Sequence, residues 1–267
     1  MGEDRFTPVT FDTSVAHIAR VYDYWLGGKD NYAADRAAGD EALQAYPNLV
    51  FSVRANRAFL ARTVRYLVKE AGIRQFLDIG TGIPTANNTH QVAQSAAPEC
   101  RVVYVDNDPI VLSHARALMA SGPLGACDYI DADLRDTQTI LAGAARTLDF
   151  SQPVAVMLIA VLHLIGDEDD PRGIIATLMD AVPPGSYLAL SHVASDIEPE
   201  KMAEMGKRLN RLLAQKGTYR SHAEVTRLFE GLELADPGVV RIPQWRPDSE
   251  VGAKTPAAMW GGVARKP

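Results

Sequence analysis

Asp78, Gly80 and Gly82 stand together in QFLDIGTGIP (75–84), where an apolar run carries one acid and then breaks into Gly80-Thr81-Gly82. Such a run reads as a buried strand ending in a tight turn. Glycine takes positive φ and has no Cβ, so the chain can turn sharply there and a ligand can lie against its backbone. Pro84 lacks an N–H and suits the first turn of a helix that follows. Later apolar runs also end in polar groups. Asp106, with Asn107 beside it, closes RVVYVDNDP (101–109), and Asp133 and Leu134 follow ACDYI (126–130). His163 follows the apolar run 154–161, which contains Ala160. A carboxylate accepts both hydroxyl protons of a ribose, and an imidazole can take up a proton near neutrality. These residues together could hold a nucleoside-type ligand beside a proton acceptor. Two of them have plainer uses: Asp106 or Asp108 can cap the helix beginning at Pro109, where Asp108 fits better, and a histidine after a strand often only supports structure.

The elements needed to position these groups alternate along the chain. Strands are expected at 75–79, 101–106, 126–130, 154–161 and 186–193, the fourth unbroken, as a parallel strand covered on both faces should be. Helices are expected at 86–97, from Pro109 to about residue 120 with a Gly122-Pro123 stop, and at 171–181, 199–215 and 221–230. In the last of these Ser221 and Glu224 form a capping box. Segments 232–245 and 257–266 read as two final strands in a hairpin-like arrangement. Ahead of the glycine turn, 51–71 forms an amphipathic helix with Val53, Phe59, Leu60, Val64, Leu67 and Val68 on one face. Its Arg54, Arg57, Arg62 and Arg65 read as a solvated face, with Arg57 able to meet a ligand carboxylate if it points to the turn. Crossover rules make this a doubly wound sheet with its ligand crevice at the carboxyl ends of the strands. Residues 14–26 read as a short helix capped by Ser14 and stopped by Gly27-Gly28. Around that bend crowd Tyr22, Tyr24, Trp25 and Tyr32 with Asp23, Lys29, Asp30 and Asn31, either as a docked helix with aromatic core residues or as a lid over a site. This divides the chain into an N-terminal helical cap, 1–50, and a main domain, 51–267.

A dinucleotide fingerprint, G-x-G-x-x-G, would need a third glycine where this chain has Thr85. The pattern Asp78-x-Gly80-x-Gly82 instead resembles motif I of the class I S-adenosylmethionine-dependent methyltransferases, with Pro84 where that family usually has another glycine. From Gln75 to about His192 four motifs follow in the family's order. RVYDYWLGGKDNYAADR and the later ANRAFL resemble a narrower bacterial group of S-adenosyl methyltransferases, once described as a domain of unknown function. The resemblance implies an α/β, Rossmann-like, mostly parallel seven-stranded sheet with S-adenosyl-L-methionine as cofactor. It places the cofactor on Asp78, Gly80, Thr81, Gly82, Asp106, Asn107, Asp133, Leu134 and Ala160, with Asp133 accepting from the adenine amino group and the Leu134 N–H donating to the ring. It makes His163 the catalytic residue to test, with Tyr22, Tyr24, Trp25, Lys29, Asn31 and His192 on the acceptor and lid side. The expected reaction is methyl transfer to an O or N atom of a small-molecule acceptor. A SAM-binding sensor without chemistry, or an NAD-dependent oxidoreductase, are the competing readings.

With 267 residues, 47% of them hydrophobic, the chain can bury a sizeable core. A net charge of −6 argues against a broad nucleic-acid surface. Cys100 and Cys127 show neither C-x-x-C spacing nor a disulfide framework and read as free thiols. The histidines at 17, 90, 114, 163, 192 and 222 form no H-x-x-x-H pair, and no metal site is expected. Without a signal-like N-terminus or a run near ~20 apolar residues, a cytoplasmic location and no membrane partner are expected.

Overall fold

The structure is a computed structural model describing residues 12–111 and 124–267. Residues 1–11, most of the helix expected after Pro109, its Gly122-Pro123 stop and His114 lie outside the described residues. In chain order the elements are α1 (Ile18–Leu26), α2 (Ala33–Ala45), α3 (Leu49–Lys69), β1 (Gln75–Ile79), α4 (Thr89–Ala96), β2 (Arg101–Asp106), β3 (Ala126–Asp131) and α5 (Thr137–Ala144). They continue with β4 (Ala155–Ile159), α6 (Pro171–Asp180), β5 (Tyr187–Val193), α7 (Pro199–Leu212), α8 (His222–Arg227), β6 (Glu233–Leu234), β7 (Val240–Arg241), α9 (Glu250–Ala253) and β8 (Met259–Arg265).

The sheet runs β3-β2-β1-β4-β5-β8-β6, with β7 pairing β8 as well. β1 to β5 are parallel, whereas β8 is antiparallel to β5, β6 and β7. Strand order reverses between β1 and β4, which opens a crevice at their carboxyl ends. Two-residue alternation sets the layers. Leu77 and Ile79 pack with Val103, Val105, Ile140 and Leu178 on one face. Phe76 packs with Val102, Tyr104, Phe59 and Val64 on the other. Asp78 shares the Phe76 face, under α4.

Segment 232–245 is not one strand. Its extended pieces are the two short edge strands β6 and β7, separated by a turn around Asp236-Pro237 and followed by a 3-10 turn at Ile242–Gln244. Arg62 is correspondingly buried and not solvated: it donates to the carbonyls of Ile242 and Trp245 at 2.7 and 3.0 Å, satisfying backbone that no ladder covers. β4 stops at Ile159 because Ala160 takes a left-handed conformation, φ 54°. α4 begins at Thr89, five residues after Pro84, with Asn88 and Gln91 forming its capping box. Among the described residues the side chain of Ser14 bonds to Asp12, and the N-cap position of α1 is His17. The expected boundary at residue 50 falls inside α3, and the N-terminal helices share a core with α7 through Val21, Trp25, Tyr46, Met202, Met205 and Leu209. Cys100 and Cys127 are free, and burial pushes both thiols up to about 11.

Candidate active site

The crevice is walled by the carboxyl ends of β1, β2 and β4, the loop after β3, and α1 and α3. Every residue expected on the cofactor side lines it: Asp78, Gly80, Thr81, Gly82, Asp106, Asn107, Asp133, Leu134 and Ala160. Gly80 and Gly82 have φ of 74° and 66°. A Cβ on Gly80 would lie 2.3 Å from Val161, so glycine is needed there for packing as well as for the turn. A Cβ on Gly82 would meet nothing within 4 Å, which leaves its backbone open to a ligand. The Thr81 hydroxyl donates to the Asp78 carbonyl at 3.1 Å and pins the turn.

Asp106 is buried and already employed. Its Oδ2 accepts from the Gly82 N–H at 2.7 Å and its Oδ1 from Asp108 N at 3.0 Å. Each oxygen keeps a lone pair for a ribose hydroxyl, and burial raises its pKa. Asp108 does cap the helix at Pro109, accepting from Ile110 N at 2.9 Å. Its other oxygen lies 2.8 Å from His17 Nδ1. His17 Nδ1 is 3.4 Å from Ala19 N, so the Asp108 contact is the stronger of the two, and it ties the N-terminal segment to the end of β2. Asp133 accepts from Asn107 Nδ2 at 3.1 Å and pairs with Arg135 at 3.0 Å. Asp78 is buried, which pushes its pKa up to about 6, and it accepts from Thr89 Oγ1 at 2.6 Å. Arg57 lines the crevice, and its guanidinium donates to the carbonyls of Ala86 and Asn87 in the loop between the glycine turn and α4. An acid and a guanidinium at one end, a ribose-competent carboxylate in the middle and Asp133 with Leu134 at the other end fit a SAM molecule with its amino-acid, ribose and adenine parts.

The acceptor side is only partly as expected. Tyr22 lines the crevice, where its hydroxyl donates to the Val53 carbonyl at 3.3 Å and accepts from Asn56 Nδ2 at 3.0 Å. Asn56 Oδ1 accepts from Ser191 Oγ at 2.6 Å, and Ser191 Oγ accepts from Ala160 N at 3.0 Å. This chain of hydrogen bonds locks α1, α3, β5 and the end of β4 into one wall. Behind it lies a second, smaller cavity sharing Ile18, Tyr22 and Ala160 with the crevice and lined also by Trp25 and His163. Tyr24, Lys29 and Asn31 line neither cavity. The Tyr24 hydroxyl donates to Asp40, Asn31 closes the turn through Asp23 and the Gly28 carbonyl, and Lys29 is exposed. The polar crowd around Gly27-Gly28 therefore builds a loop. His192 also stands outside both cavities, fully buried: its Nδ1 bonds to the Val193 carbonyl at 2.8 Å and its Nε2 accepts from Arg220 at 2.9 Å.

His163 sits in a 3-10 turn, Leu162–Leu164, separated from Ala160 by Val161. Arg220 holds that turn by donating to the carbonyls of Leu162 and Ile165 and to Asp167. His163 Nδ1 is buried without a hydrogen-bond partner. Burial, followed by the charge of Arg220, lowers its pKa to about 4, so it is neutral at pH 7.

Sequence reasoning missed Asn56, Ser191, His17 and Arg220 as site-building residues. Asn56 had a signal: it stands at i+3 from Val53 and four before Leu60, on the apolar stripe of α3, where a polar residue needs a purpose. Among the described residues no group of three His, Cys, Asp or Glu side chains could hold a metal ion.

A family model described as S-adenosyl methyltransferase matches residues 5–267. The chain is similar, at 48% identity and a TM-score of 0.93, to a solved DUF574 family protein from Streptomyces avermitilis MA-4680, with 96% of this chain and 99% of that one covered. A candidate methyltransferase from Thermobifida fusca YX is 42% identical with a TM-score of 0.87, covering 96% of both chains. The plantazolicin methyltransferase BpumL, solved with SAH, shares the fold at 12% identity and a TM-score of 0.51, over 93% of this chain and 94% of that one. Among curated proteins nothing matches the chain.

Proposed function

Because the chain belongs to the S-adenosyl methyltransferase family, whose cofactor is S-adenosyl-L-methionine, we propose that it transfers a methyl group to an O or N atom of a small-molecule acceptor. The observation that carries this reading is the adjoining second cavity, which meets the cofactor crevice at Ile18, Tyr22 and Ala160. When bound, the cofactor supplies an electrophilic methyl group. The protein's own task is to bind, align, exclude water and accommodate a proton. In this reading Asp106 holds the ribose hydroxyls, Asp133 and the Leu134 N–H hold the adenine, and Asp78 and Arg57 face the ammonium and carboxylate of the methionine part. Gly80-Thr81-Gly82 lets the cofactor approach the backbone, Asn107 steadies Asp133, and Ala160 borders the acceptor. Tyr22 closes the acceptor side, and α1 acts as the cover of the crevice. His163, neutral at working pH, accepts the acceptor's hydrogen bond and its proton. A cytoplasmic location belongs to the same reading, and no helix among the described residues is long and apolar enough to cross a membrane.

The test is to incubate the full chain with SAM and a metabolite extract and to measure S-adenosylhomocysteine by mass spectrometry against a heat-inactivated control. SAM binding without product above the control would favour a sensor. Once an acceptor is found, His163→Ala should lower turnover by roughly 10²–10⁴ with SAM affinity kept; a variant that loses SAM binding or unfolds would assign His163 a structural role.

A further inference from the structure

The second cavity has a chemistry of its own. Trp25, Tyr46, Leu49, Val53, Met202 and Met205 are among the residues lining it, and no Asp, Glu, Lys or Arg does. A charged group entering it would lose its hydration with no opposite charge to meet, which disfavours its binding. Its side-chain hydroxyls and imidazole come from Ser52, Tyr22, Tyr46 and His163: Ser52 Oγ accepts from Ala258 N and the Tyr22 hydroxyl from Asn56, whereas His163, 8% exposed, has no hydrogen-bond partner at Nδ1 and the Tyr46 hydroxyl has none either among the described residues. Orphaned buried polar atoms are rare in folded proteins and call for a partner. A neutral imidazole nitrogen is either donor or acceptor according to tautomer, and a hydroxyl satisfies both, whereas an ammonium satisfies only one.

The cavity volume is about 60 Å³, well under the roughly 150 Å³ of an engineered apolar cavity that takes benzene. A ring therefore enters only as neighbouring side chains give way. Met202 and Met205 suit that, because an unbranched thioether repacks at little cost.

We propose that this cavity binds an uncharged, single-ring acceptor bearing a phenol-type hydroxyl, whose ring lies among Trp25, Leu49, Met202 and Met205 and whose hydroxyl hydrogen-bonds to His163. The proposal rests on the methyltransferase reading and names its acceptor class.

The test is equilibrium binding of p-cresol, toluene, 4-methylbenzoate and 4-methylbenzylamine to the full chain by calorimetry, with and without saturating S-adenosylhomocysteine. The expected result is that p-cresol binds about tenfold more tightly than toluene, the worth of one hydrogen bond, and at least tenfold more tightly than either charged probe. Absence of p-cresol binding, or a charged probe binding as well, overturns the proposal. In His163→Ala the preference for p-cresol over toluene should vanish, while persistence of that preference also overturns it. Because His163→Ala is exposed to misfolding, Met205→Trp serves as a second variant: filling the cavity should abolish p-cresol binding while S-adenosylhomocysteine still binds, and unchanged p-cresol affinity places the probe elsewhere. S-adenosylhomocysteine binding without p-cresol binding defeats only this inference. Failure of S-adenosylhomocysteine itself to bind defeats the methyltransferase reading.

Discussion

Asp78 and Asp106 each accept hydrogen bonds from the protein and also line the crevice. Asp106 accepts from Gly82 N and Asp108 N, so Asp106→Ala should weaken SAM binding by about 1.5–3 kcal/mol, the scale of hydrogen bonds to a charged group. Calorimetry returning an unchanged affinity would remove Asp106 from the ribose site. Asp78 carries a pH signature. Its pKa lies near 6, above the ordinary 3.8, chiefly through burial. Below about 6 it is protonated in the free protein and cannot pair with the ammonium of SAM, so affinity should fall with decreasing pH, by up to about tenfold per unit. The same raised value means the folded state holds this proton more tightly than the unfolded chain. The group's favourable contribution to stability is therefore complete below 3.8 and is lost as pH rises through about 6. Asp78→Asn keeps an acceptor for Thr89 and removes the buried charge. At pH 8 it should raise the melting temperature of the ligand-free protein while weakening SAM binding and flattening its pH dependence; a variant that melts lower, or binds with the wild-type pH profile, would contradict this account.

At the scale of elements, α1 owes its place to buried polar contacts as much as to its apolar stripe. Asp35 on α2 is fully buried; it lies 3.2 Å from Arg20 of α1 and accepts from His17 N at 2.9 Å and Tyr32 N at 2.8 Å. Removing one partner of a buried ion pair leaves the other desolvated, so Asp35→Ala should cost about 3–5 kcal/mol in urea unfolding, or release α1 locally. A loss below about 1 kcal/mol would show that Arg20 finds other partners. Hydrogen exchange separates a docked α1 from a moving cover. Val21 and Trp25 are buried, and the Trp25 indole donates to the Gly39 carbonyl at 3.2 Å. A permanently docked helix predicts slow exchange of amides 20–34 with and without SAM, whereas a closing cover predicts slowing only on SAM addition.

For the whole molecule, ligand binding and stability are linked. SAM or its product at 100 times its dissociation constant should stabilise the folded state by about 2.7 kcal/mol, which for a chain of this size is a melting shift of roughly 5–10 °C; NAD should give none, and a shift with NAD would revive the oxidoreductase reading. The sequence by itself determined the alternation of strands and helices, the glycine turn after β1, and the acids at the ends of β1, β2 and β3. These are local signals: period-two burial, a need for positive φ, and polar groups stopping apolar runs. It also pointed to residues that line the crevice, because strand ends in a doubly wound sheet converge on one crevice whatever the connecting helices do. The acceptor side depended on tertiary structure. Whether Tyr22 or Tyr24 faces the crevice, whether His192 or His163 is left without a partner, and whether Arg62 is solvated or buried depend on contacts with segments far along the chain. His192 is used up by Arg220, Arg62 by the carbonyls at Ile242 and Trp245, and Asn56 by Ser191. No local pattern encodes such pairings, since each partner's need for a hydrogen bond arises only when the fold removes it from water.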